Sequence, residues 1–141
     1  MSAENKALVR RAYEEIWSKG NLAVVEELYA PNFVLHDPAA PGVQGPEGLK
    51  QLITMNRTGF PDLKLAVVDQ IAEGDKVVTH WTGTGTHQGE MMGIPATGKQ
   101  GTVTGTTISR IAGGKIVEET TNWDTLGMLQ QLGVIPPMGE G

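Results

Sequence analysis

The chain has 141 residues, with eleven Lys and Arg against sixteen Asp and Glu, a formal charge of −5 and no cysteine. The lack of cysteine excludes disulfides, thiolate nucleophiles and thiolate metal sites, and it fits a reducing compartment. An acidic chain without a basic stripe does not suit a nucleic-acid partner, and no apolar run approaches the roughly 18 residues of a membrane span.

Leu8, Val9, Ala12, Tyr13, Ile16 and Trp17 recur on one face of a first helix, which Lys19-Gly20-Asn21 stops. A second helix is predicted with Leu22, Val25, Leu28 and Tyr29 inward and Pro31 closing it. A short strand from Asn32 to Asp37 and a loop from Pro38 to Gly45 follow. Pro46 opens a third helix, where a missing N–H costs least. Its inner face is Leu49, Leu52, Ile53 and the polar Asn56, and Phe60-Pro61-Asp62 ends it. The period then changes from helical to alternating. Leu63 to Ala72, Lys76 to His87, Gly101 to Ile111 and Lys115 to Trp123 read as long strands. A last helix, Thr125 to Leu132, precedes a Pro-Pro-Met-Gly tail.

Helices first and an antiparallel meander afterwards is the α+β pattern, expected here as one domain over residues 1–141. A curved antiparallel sheet wrapped over the N-terminal helices makes a cone-shaped barrel with one internal pocket, open to a small molecule at its mouth. Met1 to Lys6 lacks the apolar stretch of a signal peptide, so a cytoplasmic location is expected. Gly83 and Gly85 lie inside a strand with no helix after them and do not form a phosphate loop; they are expected to mark bulges or a sharp bend.

Several stretches together resemble the SnoaL-like polyketide cyclase (ester cyclase) family. They are FVLHDP from Phe33 to Pro38, GPEGL from Gly45 to Leu49, FPDL from Phe60 to Leu63 and AEGDKVV from Ala72 to Val78. They continue with GTHQGE from Gly85 to Glu90, GIPATGK from Gly93 to Lys99, GKIVEE from Gly114 to Glu119, and Trp123-Asp124 leading into Leu129 to Gly133. Each is weak alone; in this order they are specific.

The resemblance implies the barrel shared with ketosteroid isomerase and nuclear transport factor 2, assembled as a homodimer or higher homo-oligomer. It also implies cofactor-free chemistry, in which a carboxylate abstracts a proton from an activated carbon and the carbanion closes a ring in an aldol step. In the cyclases a His and an Asp on the last two strands form the catalytic pair. Alignment on Arg110-Ile111 and on Gly114 to Glu119 puts Thr107 at the His position and Thr121 at the Asp position. A threonine hydroxyl is no general base unaided. Three courses stay open: the base has moved, the chemistry differs, or the protein only binds.

Glu119 is the first candidate for a relocated base, since side chains two apart on a strand share a face and Glu119 then looks the same way as Thr121. The competing reading is a solvated strand glutamate paired with Lys115 or Arg110. Asp124 is a second candidate, against the role of helix N-cap. His36 is a third, against the role of a satisfied structural histidine, because the family's equivalent tends to lie near the pocket and an imidazole transfers protons near pH 7. His80 is expected to point away from Trp81, and His87 to bond a nearby backbone group in its turn. His36, Asp37 and His80 lack ligand spacing, so no metal is expected.

For substrate binding the candidates are Tyr13, Trp17, Asn56, Trp81, Thr107, Thr121 and Met55. Tyr13 and Trp17 are read as core or ligand platform, Asn56 as a backbone cap or a cavity-lining group. Met55, Met91 and Met92 fit an adaptable wall for a flat ring system or simple gap-filling. An exposed sheet face including Ile108 and Ile116 is the expected dimer surface.

Two functions compete. One is an enzyme for a small apolar or polycyclic carbonyl compound, of the cyclase or isomerase type. The other is a non-catalytic small-ligand binding protein, with hydroxylase or epoxide-hydrolase chemistry as a further superfamily alternative.

Overall fold

The computed structural model describes residues 2–136; Met1 and the tail beyond Pro136 lie outside the described residues. Helix α1 (Ser2–Arg11) runs without a break into a π-helical stretch, Ala12–Ser18, which buries Ala12, Tyr13 and Ile16. The wider turn ends in carbonyls that lack helical partners. Arg57 supplies a donor: its Nη1 donates to Trp17 O (2.9 Å) and Ser18 O (3.0 Å), and also to Leu63 O (3.2 Å) ahead of the next strand, tying the first helix to the end of α3.

The second helix is shorter than its periodicity predicts. A 3-10 turn, Leu22–Val24, leads into a single turn of α2 (Val25–Leu28), and Tyr29 already belongs to β1 (Tyr29–His36). Pro31 therefore sits inside a strand. It is tolerated because β1 is an edge strand, and the pairing shifts register between Tyr29 and Val34, where the missing N–H falls. Helix α3 (Gly45–Gly59) carries Pro46 in its first turn and buries Leu49 and Ile53.

Four long strands follow: β2 (Lys64–Glu73), β3 (Lys76–Thr86), β4 (Gln100–Ala112) and β5 (Lys115–Trp123), then α4 (Thr125–Gln131). The sheet order is β1-β5-β4-β3-β2. β2 to β5 form the expected antiparallel meander, and β1 adds to β5 in parallel. The result is an α+β fold in which a curved, open sheet wraps the helices. Among the described residues, no helix is long and apolar enough to cross a membrane.

The strand glycines are not bulges. β3 and β4 pair without interruption from Lys76↔Arg110 to Thr86↔Gln100, and the irregularity in β2–β3 lies instead between Val67 and Asp69. The glycines make room on the concave face. A Cβ on Gly83 would stand 2.8 Å from Leu65 Cδ2, one on Gly85 3.0 Å from Phe60, and one on Gly105 would overlap the Trp81 ring. Ile116 is fully buried in the core and is no part of an outer face, because the register shift between Arg110 and Ile111 pairs it with the buried Ile111 and turns it to the inner face. The outward apolar positions are Val68, Ile71 and Ile108.

Candidate functional site

A cavity of about 500 Å³ lies between the π-helical stretch, α3 and the concave face of the sheet. Its wall is apolar, and all three tryptophans of the chain, Trp17, Trp81 and Trp123, line it. Volume and lining match those of a site for a small organic molecule.

The polar groups converge on its floor. Thr107 and Thr121 are register partners on β4 and β5, and their hydroxyls are hydrogen-bonded at 2.9 Å. Trp81 Nε1–H donates to Thr107 Oγ1 (3.1 Å), and the Tyr13 hydroxyl is also hydrogen-bonded to Thr107. One step along the same face, Ser109 Oγ–H donates to Glu119 Oε2 (2.6 Å), and the Tyr29 hydroxyl donates to the same carboxylate.

Glu119 is 7% exposed, and neither Lys115 nor Arg110 reaches it: Lys115 Nζ donates to Glu26 O, and Arg110 pairs with Glu118. Loss of hydration without a neighbouring cation raises its carboxyl from 4.5 to about 7; the Ser109 and Tyr29 hydrogen bonds oppose that rise. Burial, with the Glu119 charge second, pushes the Tyr13 and Tyr29 hydroxyls up, so both remain donors.

A second carboxylate stands at the cavity wall. Asp37 is half-buried, accepts the Ala39 N–H (2.9 Å) and is hydrogen-bonded to Trp123. Burial raises its carboxyl despite these donors.

The model of the SnoaL-like polyketide cyclase family matches residues 7–132. The chain belongs to this family. A SnoaL-like polyketide cyclase candidate from Jannaschia sp. CCS1 is 28% identical, with a TM-score of 0.87 over 96% of this chain and 95% of that one. IdmH, a candidate polyketide cyclase of Streptomyces antibioticus, is 34% identical with a TM-score of 0.82, covering 92% of this chain and 99% of its own. AclR, a candidate hydroxylase of Streptomyces galilaeus, is 28% identical with a TM-score of 0.86 over 99% of this chain and 87% of its own. No curated protein matches the chain.

In this SnoaL-like fold Glu119, Tyr13, Trp17, Trp81, Thr107, Thr121, Asn56 and Met55 all border the cavity. Asn56 does so while its Nδ2 donates to Leu52 O one turn back (2.9 Å), so it satisfies its own helix and lines the cavity together. Asp124 is not brought to the site. It caps α4, its side chain accepting the Gly127 N–H at 2.9 Å. His36 is not brought there either: it is exposed, and its Nε2 stands 2.9 Å from Glu118 Oε2. The reason is strand parity. Leu35 faces the cavity, so Asp37 does too and His36 faces out.

His80 is exposed beside Gly105 O, opposite in direction to Trp81. His87 is fully buried, accepting the Thr97 N–H at Nδ1 (3.2 Å) and stacking on Phe60. Among the described residues no group of three His, Cys, Asp or Glu stands together. Sequence reading missed Ser109, Tyr29 and Asp37. Ser109 was within reach of it, since it lies two residues from Thr107 on one strand.

Proposed function

We propose that the cavity binds a small apolar or polycyclic carbonyl compound and that Glu119 moves a proton at the carbon next to the carbonyl. The observation that carries this reading is a buried carboxyl at the cavity floor, raised to about 7 with no cation beside it. Near neutral pH such a group exists in both protonation states, which suits a general base that must also return its proton.

The threonine pair supports a role opposite Glu119. Thr107 Oγ1 accepts from Trp81 and can accept from the Tyr13 hydroxyl, which leaves its own O–H for Thr121. The Thr121 hydroxyl is then the free end of a polarised chain of donors, on the strand face of Glu119. As Glu119 takes the proton, the electron pair of the C–H bond moves onto the carbonyl oxygen, and Thr121 O–H donates to the enolate that forms. In the cyclase form of this chemistry the carbanion then attacks a second carbonyl of the same molecule. A carbon–carbon bond closes the ring and the alkoxide takes up a proton.

Asp37 favours a variant of this reading, with the base at the wall instead of the floor, because it too is a carboxylate raised by burial at the cavity. Deuterium exchange at the acidic carbon of a panel of β-keto esters separates the two. Glu119→Gln should abolish exchange and Asp37→Asn should leave most of it; the reverse would move the base to Asp37. Tight binding of the panel without any exchange above buffer would make this a binding protein.

The homodimer implied by the family resemblance has a fitting surface in the outward row Ile71, Val78 and Ile108, cross-strand neighbours on β2, β3 and β4.

A further inference from the structure

Between β3 and β4 the chain leaves the sheet at His87 and rejoins it at Lys99 through a closed base. His87 N–H donates to Lys99 O (2.9 Å), and Gly98 N–H donates to His87 O (2.8 Å). One flank is docked on the end of α3. The N–H groups of Gln88 and Gly89 donate to Gly59 O (2.9 and 3.2 Å), and a Cβ on Gly89 would overlap Thr58 O. Met91 continues this docking, buried with Phe60, Met128 and Leu132.

The tip is built differently. Met91 and Ile94 exchange both backbone hydrogen bonds (3.1 and 2.9 Å), closing a two-residue turn over Met92 and Gly93. The φ angles there are 55° and 76°, and positive φ at both central residues is the pattern of a type I′ turn, which favours Asn-Gly. Met92 is the single non-glycine residue with positive φ among the described residues. It is also 46% exposed. Both features are costs in the free protein: the backbone is strained, and about half of an apolar side chain stands in water. Yet Met92 borders the cavity, and so does the half-exposed Met55, which makes a pair of unbranched thioethers on its exposed side.

We infer that Met92 is a specificity-determining residue, held by its strained turn at the cavity mouth to cover the outer ring of a bound polycyclic ligand. This rests on the cavity being a site for apolar carbonyl compounds. The contribution of Met92 should then grow with ligand size: a single-ring compound seated on the polar groups should not depend on it, and a tricyclic one should.

The test is binding of 9-fluorenone and of acetophenone, followed by quenching of the cavity tryptophans, in wild type, Met92→Asn and Met92→Leu. Asparagine relaxes the turn and removes the apolar cover. It should raise Tm by about 3 °C and weaken fluorenone binding about fivefold, the order expected for uncovering part of an apolar side chain. Acetophenone binding should change less than about twofold, and Met92→Leu should restore fluorenone binding without the gain in Tm. Unchanged fluorenone affinity in Met92→Asn, or a fall in its Tm, would overturn the inference. Failure of wild type to bind either ketone would overturn the reading of the cavity itself, and the inference with it.

Discussion

Ser109 and Glu119 face each other across β4 and β5, and the serine hydroxyl donates to the carboxylate over 2.6 Å. This bond holds the ionised form of a carboxyl that burial otherwise pushes up, so it sets how close to neutrality the group titrates. Ser109→Ala should therefore raise the Glu119 carboxyl further. The pH profile of proton exchange should move upward by roughly one unit while its plateau is kept. A profile left in place would mean that the serine does not act on the carboxylate.

Glu119 should also make the fold sensitive to pH in an uncommon direction. Its carboxyl titrates at about 7 in the folded chain against 4.5 for an ordinary glutamate, so the folded state holds the proton longer. Below the unfolded value both states are protonated and no stability is lost. Between pH 4.5 and 7 the unfolded chain ionises while the folded chain still holds the proton, so the folded state forfeits roughly 3 kcal/mol by about pH 7, and above that the loss levels off. Glu119→Gln should be more stable than wild type by up to that amount at pH 8, and by no more than about 1 kcal/mol at pH 5. Urea unfolding at the two pH values reads the gap; an equal gap at both would refute the raised carboxyl.

The four long strands follow from alternation that is plain in the sequence, and β2 to β5 lie within about one residue of where the period of two puts them. Parity also brought Glu119 together with Thr121. Two features were hidden. Pro31 ends helices far more often than it sits inside strands, and only the edge position of β1 makes it acceptable, which no local pattern records. His36 and Asp37 are adjacent, and which one faces inward depends on the register of β1 on β5, a non-local fact. Asp124 carried a signal for either role, and the Gly127 N–H it accepts decides for the cap.

Thr107 has a structural duty beside its place in the donor chain. It is the acceptor for the buried Trp81 indole N–H. Thr107→Val keeps the shape but leaves that donor unpaired, at a cost of about 1–3 kcal/mol in chemical denaturation. Thr107→Ser should recover most of the loss. If valine costs nothing, water reaches the indole and the chain of donors is not sealed from solvent.

Ile108 is 43% exposed on the convex face, beside Val78 and Ile71. If this row joins two copies, wild type sediments as a dimer and Ile108→Lys as a folded monomer with unchanged far-UV circular dichroism. A dimer that survives the lysine would place the interface elsewhere.

The central claim is that Glu119 is the proton-transferring group, and the pH profile of deuterium exchange into a β-keto ester tests it most directly. The rate in wild type should rise about tenfold per pH unit in acid and level off above about pH 7, where the carboxyl is ionised. Glu119→Gln should erase the enzymatic rate at every pH. An inflection near 4.5, or exchange that persists in Glu119→Gln, would contradict the account.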